Sequence, residues 1–180
     1  MFQLHPTEKL RTHLGIAKAA VLAGPPLQRD PQPNGVDALL AWYGNVFTVE
    51  EGTCFLTTNA ASLYSVVFPA IGIRSDRDYL HRLRLALEES LSGDGLAVLF
   101  DEIIGPGLDK VVFAKTASKP VLGSMKQMAL ECQVTSTING IPVSRFGPQI
   151  NGCLYNLIRP DTPREALERI WTGCRLAKRR

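Results

Sequence analysis

Between Leu39 and Pro69 the chain carries three β-rich runs, AWYGNVFTV, TCFLTT and SLYSVVF, parted only by Glu50-Glu51-Gly52 and Asn59-Ala60-Ala61. Aromatic and β-branched residues suit a half-buried pleated surface, and turns this short bring the chain back beside itself. The region therefore predicts a three-stranded antiparallel meander. Such a sheet buries an apolar face only if other elements cover it, so the rest of the chain has to supply helices that pack on it.

Ser75 and Asp78 have the spacing of a capping box, and Leu80, Leu83, Leu87 and Leu91 follow at helical intervals as far as Gly93. A second helix is expected from Pro120 to about Thr135, with Leu122, Met125, Met128, Ala129 and Cys132 on one apolar stripe. A third begins at Thr162-Pro163-Arg164-Glu165, buries Leu167, Ile170, Trp171 and Cys174, and ends among Arg175, Lys178, Arg179 and Arg180. Thr7 caps a short helix over Glu8 to Leu14, with Gly15 as its stop. Lys110 to Ala114 reads as a strand, whereas LAVLFDEII, residues 96–104, fits a buried strand or a short helix equally well. Residues 24–35 read as a proline- and glycine-rich surface loop, and 138–152 as irregular. The sum is one α+β domain over residues 5–178. Its mainly antiparallel sheet has about four to five strands, covered by three main helices near 77–92, 120–135 and 163–178.

The chain of 180 residues is long enough to bury a core, and 45% hydrophobic with 21% charged residues is the balance of a globular protein. A net charge of +3 does not by itself drive binding to nucleic acid. The N-terminus lacks the pattern of a secretory leader, and no apolar run reaches the roughly 18–20 residues that cross a bilayer. Cys54, Cys132, Cys153 and Cys174 are scattered with no C-x-x-C pair, which suits reduced thiols in the cytoplasm.

The segment KTASKPVLGSMK, residues 115–126, follows a strand and opens a helix. The first N–H groups of a helix lack intrahelical partners and attract phosphate or carboxylate. On that reading Lys115 and Lys119 supply charge, Thr116, Ser118 and Ser124 supply hydroxyls, Gly123 admits close approach, and Asn59 orients a ligand. The plainer reading is that Ser118 caps the helix, Pro120 fits its first turn, Gly123 packs on the sheet and the lysines face water. Neither a phosphate-loop nor a dinucleotide-binding fingerprint occurs anywhere in the chain.

Several short patterns occur together: Thr7, Lys9 and Leu10; Trp42, Tyr43 and Asn45; Thr58 and Asn59; K-T-x-S-x-x-V-L-G-S-M from Lys115 to Met125; and Ile138, Asn139 and Pro142. In these the chain resembles a family of small bacterial proteins designated only as a domain of unknown function. The likeness spans Thr7 to about Pro142, and Lys119-Pro120 and Lys126 depart from the family's pattern. The resemblance implies a domain and no chemistry.

Other groups are sparse. His5, His13 and His81 are far apart and lack a metal-ligand spacing, so neither a metal nor a cofactor is expected. Asp101-Glu102 and Glu88-Glu89 are adjacent pairs whose side chains diverge, and Ser124 lacks a nearby base. Arg74, Arg77, Arg82 and Arg84 form a basic cluster, balanced by Asp76, Asp78, Glu88 and Glu89. The expectation is a non-enzymatic, cytoplasmic bacterial binding or regulatory module. It contacts a partner protein or a polyanion, nucleic acid being the weaker case, through residues 115–126, and does not enter a membrane. The alternative is an enzyme acting on a phosphate-bearing or nucleic-acid substrate at the same loop. The sequence leaves the oligomeric state open.

Overall fold

In the computed structural model, which describes residues 1–21 and 35–177, the meander is present and one strand joins it from the N-terminus. The strands are β1 (Phe2–Pro6), β2 (Ala41–Val49), β3 (Gly52–Asn59), β4 (Ser65–Pro69) and β5 (Val111–Phe113). They lie in the order β4-β3-β2-β1-β5. The pairs β2–β3 and β3–β4 are antiparallel, and β1 runs parallel to both β2 and β5. The sheet is therefore mixed, with five strands as expected. Nothing in the sequence reading placed β1. Phe2 and Leu4 are fully buried in the core, so the fold begins ahead of residue 5.

The helices are α1 (Glu8–His13), α2 (Val36–Leu40), α3 (Asp76–Gly93), α4 (Ala97–Leu99), α5 (Gly105–Leu108), α6 (Lys119–Asn139), α7 (Phe146–Asn151) and α8 (Pro163–Ala177). Residues 39 and 40, read as the start of a strand, close α2 instead. The ambiguous 96–104 segment is helical, with a π turn over Phe100–Ile104 between α4 and α5. α7 occupies part of the stretch read as irregular. The loop expected over 24–35 falls almost wholly outside the described residues, as do Lys178, Arg179 and Arg180.

The caps are those the sequence encodes. Thr7 Oγ1 accepts from Leu10 N at 3.3 Å, and Ser75 Oγ accepts from Asp78 N at 3.1 Å. Gly140, at φ +59°, ends α6 in the left-handed conformation that glycine adopts at no steric cost. The stripe of α3 is Tyr79, Leu83, Leu87 and Leu91, with Leu80 only half-buried.

Two apolar clusters lie on the two sides of the sheet. One joins Phe2, Leu4, Trp42 and Phe55 to Leu10 of α1, the α3 stripe, and Leu167 and Trp171 of α8. The other joins Tyr43, Leu56 and Cys54 to Val121, Met125, Met128 and Cys132 of α6 and Phe146 and Ile150 of α7. α1 approaches β2 so closely at Gly44 that a Cβ there would collide with Leu10 Cδ2. The free edge of the sheet at β4 is covered by Asn151: Ser65 N donates to its Oδ1 at 2.8 Å, and its Nδ2 donates to Ser65 O at 2.9 Å. Pro69, at the far end of β4, has no N–H to expose.

Candidate functional site

β1 leads into α1 on one face of the sheet, and β5 leads into α6 on the other. The loop 114–118 thus crosses the carboxyl ends of parallel strands where the connections diverge, a place where open sheets commonly leave a crevice. Here the crevice is filled from within. His5 of β1 is 3% exposed and stacks on the fully buried ring of Tyr43 on β2, with centroids 4.6 Å apart and planes 13° from parallel.

Both rings hold the loop. Ala114 N donates to Leu4 O at 2.9 Å, extending the β1–β5 pairing by one rung. His5 Nδ1 then donates to Lys115 O at 2.7 Å. The Tyr43 hydroxyl accepts from Ala117 N at 3.4 Å and Ser118 N at 3.1 Å. Ser118 caps α6, its Oγ accepting from Val121 N at 3.4 Å, and Pro120 lies in the first turn with no N–H to offer. Among the described residues, only Lys119 keeps a first-turn N–H without a partner. The protein's own oxygens take the other amides at this entry, leaving that of Lys119.

Six of the expected residues lie together along this start. Lys115, Lys119 and Gly123 are exposed, and Thr116, Ser118 and Ser124 are half-buried. Gly123 does not pack on the sheet: a Cβ there would meet nothing within 4 Å. Asn59 belongs elsewhere. Its Nδ2 donates to Ala38 O at 2.9 Å and Ala41 O at 3.3 Å, and its Oδ1 accepts from Ala61 N, Ser62 N and Ser62 Oγ. Its Oδ1 is spent on the turn before β4 and its Nδ2 on the junction of α2 and β2, and neither on residues 115–124.

The buried thiols are held protonated. Burial pushes the Cys54 thiol up to about 11, helped by the nearby Glu51 charge. It pushes Cys132 up to about 12, with Glu131 adding to the effect. Thiols held protonated in this way are poor nucleophiles. His13 is exposed and sits edge-on to Phe55, and His81 is exposed on α3. Arg84 of the basic cluster is engaged with Asp109 and with Gly105 O. An open groove runs between Glu8, Lys9 and His13 of α1 and Val46, Thr48 and Thr53 of the β2–β3 hairpin, and none of residues 115–126 lines it. Among the described residues no three His, Cys, Asp or Glu side chains are placed to hold a metal.

α6 has a second face. Leu130, Val134 and Ile138 recur every four residues and are 59%, 47% and 74% exposed. On a helical projection they continue the line of Lys119, Gly123 and Lys126. The Tyr155 hydroxyl donates to Glu131 Oε2 at 2.8 Å, which brings the segment bearing exposed Leu154 and Leu157 alongside. None of Lys115, Lys119 and Lys126 is in an ion pair among the described residues. The sequence reading traced only the buried stripe of this helix, because an apolar residue on the wrong face looks like noise in a periodic pattern.

The fold and this surface define a small α+β domain that presents one long helix with an apolar outer face. Residues 3–166 match a family whose description is Domain of unknown function (DUF6933), and the chain belongs to that family. Neither a curated protein nor a solved structure matches the chain. Among the described residues no helix is long and apolar enough to cross a membrane.

Proposed function

We propose that the protein is a non-enzymatic binding module whose contact surface is the outer face of α6, from the 115–118 loop to Ile138. The observation that carries this reading is the run of three exposed aliphatic side chains, Leu130, Val134 and Ile138, on a helix whose opposite face is already buried. Water-facing aliphatic side chains in a continuous row mark contact surfaces far more often than single exposed ones do. The occupant is an amphipathic helix of a partner protein, acidic at the end that lies over Lys115, Lys119 and Lys126. Pairing the apolar rows of two copies in parallel would set lysines against lysines, whereas an acidic helix meets them with opposite charge. The largely occupied helix start and the buried, protonated thiols argue against the enzyme reading. Cys54, Cys132 and Cys153 carry no disulfide, which favours a reducing cytoplasm, and the bacterial setting follows from the family resemblance.

The test uses two synthetic helical peptides with leucines at four-residue spacing, one with glutamates at one end and one with lysines, titrated by fluorescence anisotropy. The acidic peptide binds the wild-type protein and the basic one does not. Binding disappears in Leu130→Glu/Val134→Glu, with thermal stability unchanged, and weakens in Lys119→Glu/Lys126→Glu. No binding by the acidic peptide, or equal binding of both, overturns the reading. A dimer in sedimentation that Leu130→Glu dissolves would assign the face to a second copy. An oligonucleotide that raises the melting midpoint only when Lys119 and Lys126 are present would assign it to a polyanion.

A further inference from the structure

The His5 ring is sealed under the loop that starts α6, and its two nitrogens are treated differently. Nδ1 lies 2.7 Å from Lys115 O, and a carbonyl only accepts, so Nδ1 carries the proton of the neutral ring. Nε2 is then a bare acceptor, buried and without a hydrogen-bond partner among the described residues. From these positions we propose that His5 is a proton-operated latch. Neutral, it fastens the 115–118 loop to the sheet; protonated at Nε2, it leaves its site and frees the start of α6. The consequence for binding rests on α6 being the contact surface, but the latch itself does not.

The physical argument is one of unmet demand. A proton on Nε2 creates an N–H with no acceptor and a cation with no counter-charge, both enclosed by protein. The groups that face the ring are the Tyr43 ring from β2 and the Lys115 carbonyl from the loop; the Lys115 ammonium is exposed. Nearby along the two strands, Thr7 Oγ1 donates to Asn45 Oδ1 at 2.9 Å, a pair of neutral groups already spent on each other. The Tyr43 face attracts a cation, and the Lys115 carbonyl favours the protonated ring, yet burial outweighs these and lowers the proton affinity of His5 below its ordinary value of 6.5.

The sign follows. The unfolded or released histidine binds a proton more readily than the latched one. The latch is therefore closed above the ordinary value and is progressively undone as pH falls below 6.5. Loss of the ring also removes the support beneath Tyr43, whose hydroxyl holds the Ala117 and Ser118 amides. Lys115 and Lys119 lose their fixed positions together.

Amide hydrogen exchange on the protein alone, between about pH 7.5 and about pH 5, tests this independently of any partner. The protection factors of Ala117 and Ser118 should fall by up to about tenfold per pH unit, the most that one proton allows, while amides in α8 keep theirs. His5→Asn places an amide N–H near the Nδ1 position and cannot take up the proton, so its loop protection should not depend on pH. Unchanged protection in the wild type, a uniform loss over the whole chain, or the same loss in His5→Asn each overturns the latch. Should His5→Asn fail to fold, the imidazole signals of the wild type decide: His5 must titrate below its ordinary value of 6.5 and in step with the loop. Leu130→Glu/Val134→Glu keeps the pH response, so a failed peptide experiment and a failed latch are told apart.

Discussion

Two buried polar residues tie this domain together, Asn59 in the turn before β4 and His5 beneath the start of α6, and they differ in one respect. Asn59 has five hydrogen bonds and no idle atom. His5 has one, and its second nitrogen is unmet. A fully satisfied buried network rigidifies a fold, while a half-satisfied one stores a cost that a change of protonation can release. The turn at Asn59 is therefore scaffold. The loop over His5 is the place where the same scaffold can be made to move.

The largest expected effect tests the first half of that contrast. Asn59→Ala strands the Ala38 carbonyl and three donors, Ala41 O keeping its bond from Ala60 N, and should lower the unfolding free energy by about 3 kcal/mol in a denaturant titration. A loss below about 1 kcal/mol would mean that the turn is not the fixed point claimed here.

Next is Tyr43→Phe, which keeps the ring under His5 and removes the oxygen that accepts from Ala117 and Ser118. It should cost about 1–2 kcal/mol and strip protection from those two amides at neutral pH, mimicking the opened latch. If protection survives, the loop is held by something other than the two rings.

Gly123→Ala should have a smaller effect of opposite sign. The position is helical with open space beyond it, so alanine should stabilise the protein by roughly 0.5–1 kcal/mol in thermal unfolding. Smallest of all is Leu130→Glu, expected to change stability by no more than about 0.5 kcal/mol while removing the apolar contact. A large loss of stability there would show that the outer face of α6 is part of the core after all.

Much of this was legible in the chain. The meander, the capping boxes at Ser75 and Thr162, the Thr7 and Ser118 caps and the buried stripe of α6 all depend on neighbours within a few residues, and all appear in the structure. β1 was not legible, because its five residues, FQLHP, include two polar side chains and end in proline, which is weak strand grammar. Nor was the role of Asn59: an asparagine after a strand reads equally as a turn former or as a ligand group. Tyr43 and His5 were missed together, since 38 positions separate them and only the pairing of His5 with Tyr43 across β1 and β2 brings the rings into contact.

The sequence by itself determined the class of fold, the positions of most helix starts, and the 115–126 segment as a helix entry carrying lysines. Those are short-range properties, set by propensity, capping and periodicity. Only the tertiary structure decided whether the N–H groups of that entry were free. Tyr43 reaches two of them, at Ala117 and Ser118, from the middle of the sheet, and leaves that of Lys119 unpartnered. Local chemistry states what a group wants; the packing of distant strands decides what it gets, because a buried donor is satisfied by whichever oxygen the fold delivers.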